Sequence, residues 1–294
     1  MEKPAQNESL ARFTDTLPVM RAELHRYLAR MTGSVLDGED VLQDALLAAA
    51  IALQEGAEVE NMRAWLFRIA HNTALNMFRA RKREAAMKDE LLHLPPAEQP
   101  EAPSTVPEAL TPYLALTPLQ RSIVILRDVL GYSAKEVAEL TDASTSAVKS
   151  ALHRGRFALS AARAEPQQAK ASTLPEAQAE ALHRYVDLFN AHDFDALRDM
   201  LSAEVRLELV SVDRREGKER VSGYFSNYAK RDDWHMTPGL VEGRPAILAR
   251  DRDDPHGPPT YFILLNTDTT GVTTIRDFRY ARYAMQDAEW EVLK

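Results

Sequence analysis

Cysteine is absent from all 294 residues. Its absence excludes disulfides, thiolate metal sites and cysteine nucleophiles, and it fits a reducing compartment. Long apolar runs are also missing. The N-terminal MEKPAQNESLARF holds no hydrophobic segment of the signal-peptide kind, and no window approaches a membrane span. A soluble, cytoplasmic chain with no membrane partner is therefore expected. Positive charge is in deficit too, with a net charge of -8 and a pI near 5.6, so bulk attraction to a polyanion is not expected.

Hydrophobic residues make up 45% of the chain, enough for real cores in two or three domains. Two breaks divide them. Residues 89–111 are rich in proline and acid, with Pro95, Pro96, Pro100, Pro103 and Pro107 and no Lys or Arg, a composition that cannot bury enough surface to fold alone. Residues 165–175 form a second, polar and alanine-rich break. Three folded segments are expected at residues 10–88, 112–164 and 176–294.

The middle segment contains GYSAKEVAELTDASTSAVKSALHRGR, residues 131–156. Ser133 and Glu136 are spaced as a capping box, and Val137, Ala138 and Leu140 give the short helix an apolar stripe. Thr141 and Asp142 break it, Ser144 is a good N-cap, and Val148, Leu152, Gly155 and Leu159 mark the buried side of a second helix. The other side carries Ser146, Lys149, Ser150 and His153, with Arg154 and Arg156 close by. No acid occurs from Ala143 to Ala164. Two short helices with a tight turn and a basic second helix fit a helix-turn-helix aimed at a major groove. A helical hairpin with a solvated basic face is the plainer reading.

The first segment reads as all helix. In DGEDVLQDALLAAAIAL (37–53), Asp40, Gln43, Asp44 and Leu47 share one face and Val41, Leu42, Ala45 and Ala49 another. Such an acidic stripe is commonly only a solvated face. In NMRAWLFRIAHNTALNMFRARKR (61–83), Trp65, Ile69 and Leu75 are spaced for a core, while Arg63, Arg68, Arg79, Arg81, Lys82 and Arg83 alternate with Phe67 and Phe78. Basic residues among aromatics suit single-stranded nucleic acid, where charges follow the backbone and rings stack on bases. Trp65, lying on the apolar stripe, reads first as a core anchor.

Taken together, DxEDxxQD, RAWLFRIAHNTALN, the acidic tether and LTPLQRSIVILRDVLGYSAKEVAEL...SAVKSALHRGRFAL resemble regions 2 and 4 of a bacterial sigma factor of the extracytoplasmic-function (ECF) class, over roughly residues 10–164. The resemblance implies two all-α domains, core RNA polymerase and promoter DNA as partners, and transcription initiation as the activity. It reconciles the acidity, because a factor riding on polymerase needs only local basic surfaces. Residues 1–175 carry 20 basic and 22 acidic side chains, whereas 176–294 carry 16 and 22. The resemblance assigns Asp40, Gln43 and Asp44 to polymerase docking. It assigns Met62, Asn72 and Asn76 to the -10 element, although Glu55, Glu58 and Glu60 depart from the usual loop before that helix. It assigns Ser144, Thr145, Ser146, Lys149 and Ser150 to the -35 element, with Arg154 on phosphate. A transcription regulator acting without core polymerase is the alternative.

The third segment opens with helices in EAQAEALHRYVDLFNAHDFDALRDML (176–201) and continues as alternation. EVRLELVSV places Val205, Leu207, Leu209 and Val212 near one face, and RPAILARD, TYFILLNTD and VTTIRDFRYARY supply more strands. An α+β cone with a curved antiparallel sheet is expected. With YVDLFNAHDFDAL and TTIRDFRYARY it resembles the SnoaL-like polyketide-cyclase superfamily, which includes ketosteroid isomerases. Similar domains close certain ECF sigma factors and stand in for a separate anti-sigma protein, so none is expected to be required. The linker TLPEAQ (173–178) matches such proteins in part.

Such cones enclose an apolar pocket, and Trp234, His235 and Tyr261 are its candidate lining or simply core, with a small-molecule ligand as an allowed partner. His192 and Asp193 read as a structural corner, Asp277 beside Arg276 and Arg279 as an ion-paired strand residue. No set of base and oxyanion stabiliser emerges, so no catalytic residue, metal ligand or cofactor is expected; a SnoaL-like isomerase or cyclase with a DNA-binding appendage is the enzymatic alternative. Apolar contacts through which this segment would regulate the rest are expected at Leu174, Pro175 and the closing EWEVLK.

Overall fold

The computed structural model describes residues 4–91, 109–164 and 174–293. Most of both expected linkers, and Thr173 of the linker motif, lie outside the described residues. The chain divides into two compact units, one holding the described residues up to 164 and the other those from 174 onward.

The first unit is all helix. Helices α1 (Pro4–Thr32), α2 (Val35–Gln54) and α3 (Met62–Leu91) form its first part. Ser34 caps α2 by accepting from the Asp37 amide at 3.1 Å, which supplies one of the orphan N–H groups with a partner. Gly38 allows α2 to touch α1, since a Cβ there would lie 2.7 Å from the Ala29 nitrogen. Between these helices Glu39 is fully buried and paired with Arg21 at 2.7 Å.

The second part follows as α4 (Thr111–Leu114), α5 (Pro118–Val124) running into a π-helical turn (Ile125–Val129), α6 (Ala134–Thr141) and α7 (Thr145–Ala164). Capping boxes Thr117/Gln120 and Ser133/Glu136 start α5 and α6. Asp142, left-handed at φ 52°, turns the chain between α6 and α7, where a short polar side chain tolerates what bulkier residues resist. Val148, Ala151, Gly155 and Leu159 form the buried side of α7. Both parts share one continuous apolar core, from Leu24, Leu28 and Phe67 to Ile123, Val137 and Val148.

The second unit is α+β, the class expected from the strand alternation. Helices α8 (Glu176–Asn190), α9 (Phe194–Asp199), α10 (Lys218–Ser222) and α11 (Phe225–Tyr228) accompany one seven-stranded sheet. Its strands are β1 (Leu201–Leu209), β2 (Asp213–Glu216), β3 (Trp234–Val241), β4 (Arg244–Asp251), β5 (Tyr261–Asp268), β6 (Gly271–Asp277) and β7 (Trp290–Val292), in the order β2-β1-β6-β5-β4-β3-β7.

The pairing departs from the expected all-antiparallel sheet in one place: β1 and β6 run parallel, Leu207 beside Ile275. Alternation reports which face a side chain takes and not which strand lies alongside. Val212 also departs from its expected face, because β1 ends at Leu209, Ser211 takes φ 76°, and Val212 emerges 60% exposed.

Candidate nucleic-acid interface

Three solvent-facing surfaces on the first unit carry the residues singled out by sequence. On α2, Asp40 and Asp44 are exposed and Gln43 half-buried, its amide 3.4 Å from Glu39 Oε1. The same face continues as Leu47 and Ile51, 62% and 46% exposed. Apolar side chains of this size at i, i+4 spacing on the outside of a helix, next to carboxylates, form a patch suited to a protein partner.

On α3, Asn72 and Asn76 are exposed one turn apart, with Arg68 exposed a turn before them. Asn76 accepts from Arg79 Nη1 at 2.9 Å, which fixes its amide. Met62 is corrected: it is 4% exposed and belongs to the apolar core, anchoring the first turn of α3. Phe67 is corrected likewise. It is 1% exposed and packs edge-on against Tyr27 with centroids 5.6 Å apart, so it cannot stack on a base. Trp65 is partly buried against the core, as its stripe position indicates.

On α7, Ser144, Thr145, Ser146, Lys149, Ser150, His153 and Arg154 are all exposed, opposite the buried side. The Ser144 hydroxyl accepts from the Ala147 amide at 3.2 Å, so it caps the helix and is less available to a base edge. Arg156 is held by Asp128 through two bonds of 2.8 and 2.6 Å. Gly155 lets α7 lie directly on α5: a Cβ there would stand 2.7 Å from Val124 Cγ2.

Sequence patterns missed what joins α1–α3 to α4–α7. The Tyr27 hydroxyl lies 2.7 Å from His71 Nδ1 and 2.8 Å from Ser122 Oγ. Arg121, 7% exposed, donates to the carbonyls of Met31, Leu114 and Leu116, and burial pulls its guanidinium down to about 10. Arg63 donates to the Tyr132 hydroxyl at 2.7 Å and pairs with Glu23. Beside this contact lies a cleft of about 190 Å3 lined by Asn61, Arg63, Tyr132, Glu136 and Glu139 among others. Burial also holds His71 below its ordinary value.

The interior of the second unit holds a dense aromatic cluster. Tyr185, Phe189, Phe225, Tyr228, Trp234 and Tyr261 meet in one cluster, and the cavity beside Asp277 measures only about 20 Å3. Asp277, expected to be ion-paired, is instead 1% exposed and accepts from Tyr224 at 2.9 Å, Tyr228 at 2.8 Å and the Arg279 amide at 2.8 Å. Burial raises its carboxyl above the ordinary range, against the pull of those donors. The Arg279 guanidinium turns to Asp233 and the Tyr261 hydroxyl. Trp234 and Tyr261 lie in the core, but His235 is corrected: Trp234 and Met236 point inward, so His235 between them takes the opposite face. His192 stacks on Trp234 at 5.0 Å and Asp193 caps α9, as a structural corner requires.

The sigma-70 region 2 family model matches residues 20–84 and the sigma-70 region 4 model residues 114–159. The ECF RNA polymerase sigma factor SigG of Mycobacterium tuberculosis is 34% identical over 64% of this chain, which spans only 59% of that relative's length. The RNA polymerase sigma factor YlaC of Bacillus subtilis is 31% identical over 47% of this chain and 83% of its own length. Among solved structures, the sigma factor RpoE in complex with the anti-sigma factor NepR from Bartonella quintana aligns at 24% identity and TM-score 0.42, covering 51% of this chain and 96% of that one. The Mycobacterium tuberculosis sigma factor SigJ aligns at 19% identity and TM-score 0.34, covering 90% of this chain and 95% of that one. At these scores the structural likenesses carry no weight, and the assignment rests on the sequence matches. With both conserved regions present in order, and with the ECF RNA polymerase sigma factor SigM of Mycobacterium tuberculosis 32% identical over 47% of this chain and 69% of its own length, the chain belongs to the ECF group of RNA polymerase sigma factors.

Proposed function

We propose that this chain binds core RNA polymerase, engages the -10 and -35 elements of a promoter and starts transcription there, acting in the cytoplasm. The stripe Asp40, Gln43, Asp44, Leu47 and Ile51 on α2 docks on polymerase. Asn72 and Asn76, with Arg68 alongside, read the -10 element from α3. Thr145, Ser146, Lys149 and Ser150 read the -35 element from α7, with Ser144 shaping the start of that helix and Arg154 holding phosphate. The observation that carries this reading is the α2 stripe. A protein that bound DNA unaided would have no use for exposed leucine and isoleucine beside carboxylates. Reconstitution tests it: core polymerase plus this chain should initiate at a defined site on promoter fragments. Equal transcription without the chain, or specific duplex binding by the chain alone with no dependence on polymerase, would overturn it.

The second unit is proposed as a regulator in cis, SnoaL-like by its sequence resemblance, acting without a separate anti-sigma factor. The cavity beside Asp277, about 20 Å3, accommodates a water rather than a drug-sized ligand. Leu174 and Leu293 pack on its own core, whereas Trp290 and Val292 stand exposed on β7. Those two and the exposed Pro175 are the expected contact residues left to make an external contact. Truncation before Trp290 should raise reporter transcription, and unchanged activity would remove the regulatory role.

A further inference from the structure

We infer that Arg79 sets what Asn76 can read: by holding the amide oxygen it turns the amino end outward, so the base that meets Asn76 is one presenting a keto oxygen, guanine or thymine, rather than an amino group. The inference rests on the reading of Asn72 and Asn76 as contacts to the -10 element. It deepens that reading by naming the class of base and the residue that enforces it. Arg79 is a positioning residue here, acting through Asn76.

An asparagine amide carries an acceptor oxygen and a donor nitrogen, and a half-turn about its last bond exchanges them. A free amide can therefore take adenine with both ends at once, accepting from N6 and donating to N7. Asn72 is in that situation, exposed and with no hydrogen-bond partner for its side chain among the described residues. Asn76, one turn further on, is not. Arg79 Nη1 donates to Asn76 Oδ1 at 2.9 Å, and a guanidinium can only donate. The oxygen must face Arg79, which leaves the nitrogen facing away with its two hydrogens. Guanine O6 and N7 and thymine O4 accept from such a group, whereas the amino groups of adenine and cytosine cannot.

The surroundings keep the pair together. Residues 76 and 79 are i, i+3 neighbours on α3, and a long helical side chain leans back toward the N-terminus, which carries Arg79 over Asn76. Arg81 is drawn to Asp37 at 2.9 Å and Arg63 to Glu23, whereas no carboxylate pairs with Arg79 among the described residues. A second donor arriving at Asn76 Oδ1 would meet the charge and the N–H groups of the guanidinium, so a base amino group is disfavoured there. Asn72 and Asn76 are about 6 Å apart along the helix at 1.5 Å per residue, close to two nucleotides at about 3.4 Å each, so the two amides meet different bases. Helix α3 thus holds one adaptable reader and one fixed reader.

The test uses holoenzyme reconstituted from core polymerase and the full chain, on promoters carrying each of the four bases at each position of the -10 element. Asn76→Ala marks the position that Asn76 contacts, as the one whose preferences it flattens. There the unaltered chain should favour guanine and thymine over adenine and cytosine by roughly tenfold. Arg79→Met removes the donor and should abolish that preference, because the amide is then free to turn over. Arg79→Glu places an acceptor beside Asn76, draws the amide nitrogen inward and should reverse the preference toward adenine and cytosine. The position read by Asn72 should keep its preference in both variants. Residues 76 and 79 are exposed, and far-UV circular dichroism confirms that the helices persist. A role of Arg79 in phosphate binding or in stability lowers all promoters by one factor and leaves every preference as it was. That result overturns the inference, and so does a preference for amino bases in the unaltered chain. In the free chain, rotation about the guanidinium bonds of Arg79, read by nitrogen NMR, should be slower than in Asn76→Ala; equal rates overturn the pairing whether or not polymerase initiates. If Asn76→Ala flattens no position, the -10 reading of α3 fails, while the NMR comparison still decides the pairing.

Discussion

The two units bury ionisable groups for different ends. In the helical unit three buried polar residues lie where its two parts meet: Tyr27, Arg121 and Ser122 are within reach of one another, and each has a partner across that contact or beside it. In the α+β unit the buried carboxylate of Asp277 lies at the centre of an aromatic cluster that belongs to one fold. Each hydrogen bond at the contact in the helical unit contributes about 0.5–1.5 kcal/mol net, beside the apolar core that the two parts share. An aromatic centre cannot part without exposing its rings. The helical unit thus joins its parts by polar bonds laid beside a shared apolar core, whereas the other encloses its carboxylate within one aromatic cluster.

The comparison is broken most severely at Phe189, fully buried and ringed by Phe194, Phe225, Tyr228 and Trp234. Phe189→Ala should cost the second unit about 3–5 kcal/mol. A separate thermal transition of that unit should drop or vanish while the helical transition stays. Next comes Arg121→Met, which leaves the carbonyls of Met31, Leu114 and Leu116 without their donor. A loss of about 2–4 kcal/mol in the helical transition alone is expected from urea unfolding. On the reading face, Lys149→Ala should cost about 1–3 kcal/mol on a matched -35 sequence and little on a mismatched one. Arg154→Ala should weaken both alike and lower the salt slope by about one. Holoenzyme titrations on the two sequences separate these outcomes.

The smallest effect is the one that sharpens the comparison furthest, because the two units should answer acid in opposite senses. Burial lowers His71 from its ordinary 6.5, so its contribution is present above 6.5 and is lost as pH falls toward the depressed value. Burial raises Asp277 from its ordinary 3.8, so its contribution is full below 3.8 and is lost as pH rises through the elevated value. As pH falls, calorimetry should show the helical transition weakening below about 6.5 and the other gaining as Asp277 takes up its proton, above 3.8. Asp277→Asn should abolish the gain, and His71→Gln should blunt the weakening.

Local features were legible in the sequence because their causes are local. The Ser133/Glu136 box, the Ser144 cap and the break at Asp142 depend on neighbours three or four residues away, and the buried stripe of α7 on its own periodicity. The contact between the two helical parts was not legible, since Arg121 in TPLQRSIVIL reads as an ordinary charge in a first turn, and the carbonyl of Met31 that it meets is 90 residues away. Met62 and Phe67 were misread for a related reason. Periodicity groups residues into faces, but which face meets the core depends on helices the pattern does not contain. In the second unit the strands and their inward faces followed from alternation, whereas the parallel β1/β6 pairing and the tyrosine donors around Asp277 are non-local.

The π-helical turn at Ile125–Val129 sets an angle. An α-helix advances about 100° per residue, and a π turn accommodates one residue more than the α-helical path would. That residue fixes the phase at which Tyr132 and the helix-turn-helix leave α5. Deleting a single position within 125–129 would leave composition and charge almost untouched while rotating everything downstream by about a quarter-turn. The Tyr132 hydroxyl would swing away from Arg63, and the Lys149 face would point elsewhere relative to α3. Angular phase is therefore a property this chain can change in one step, separately from which bases its side chains contact.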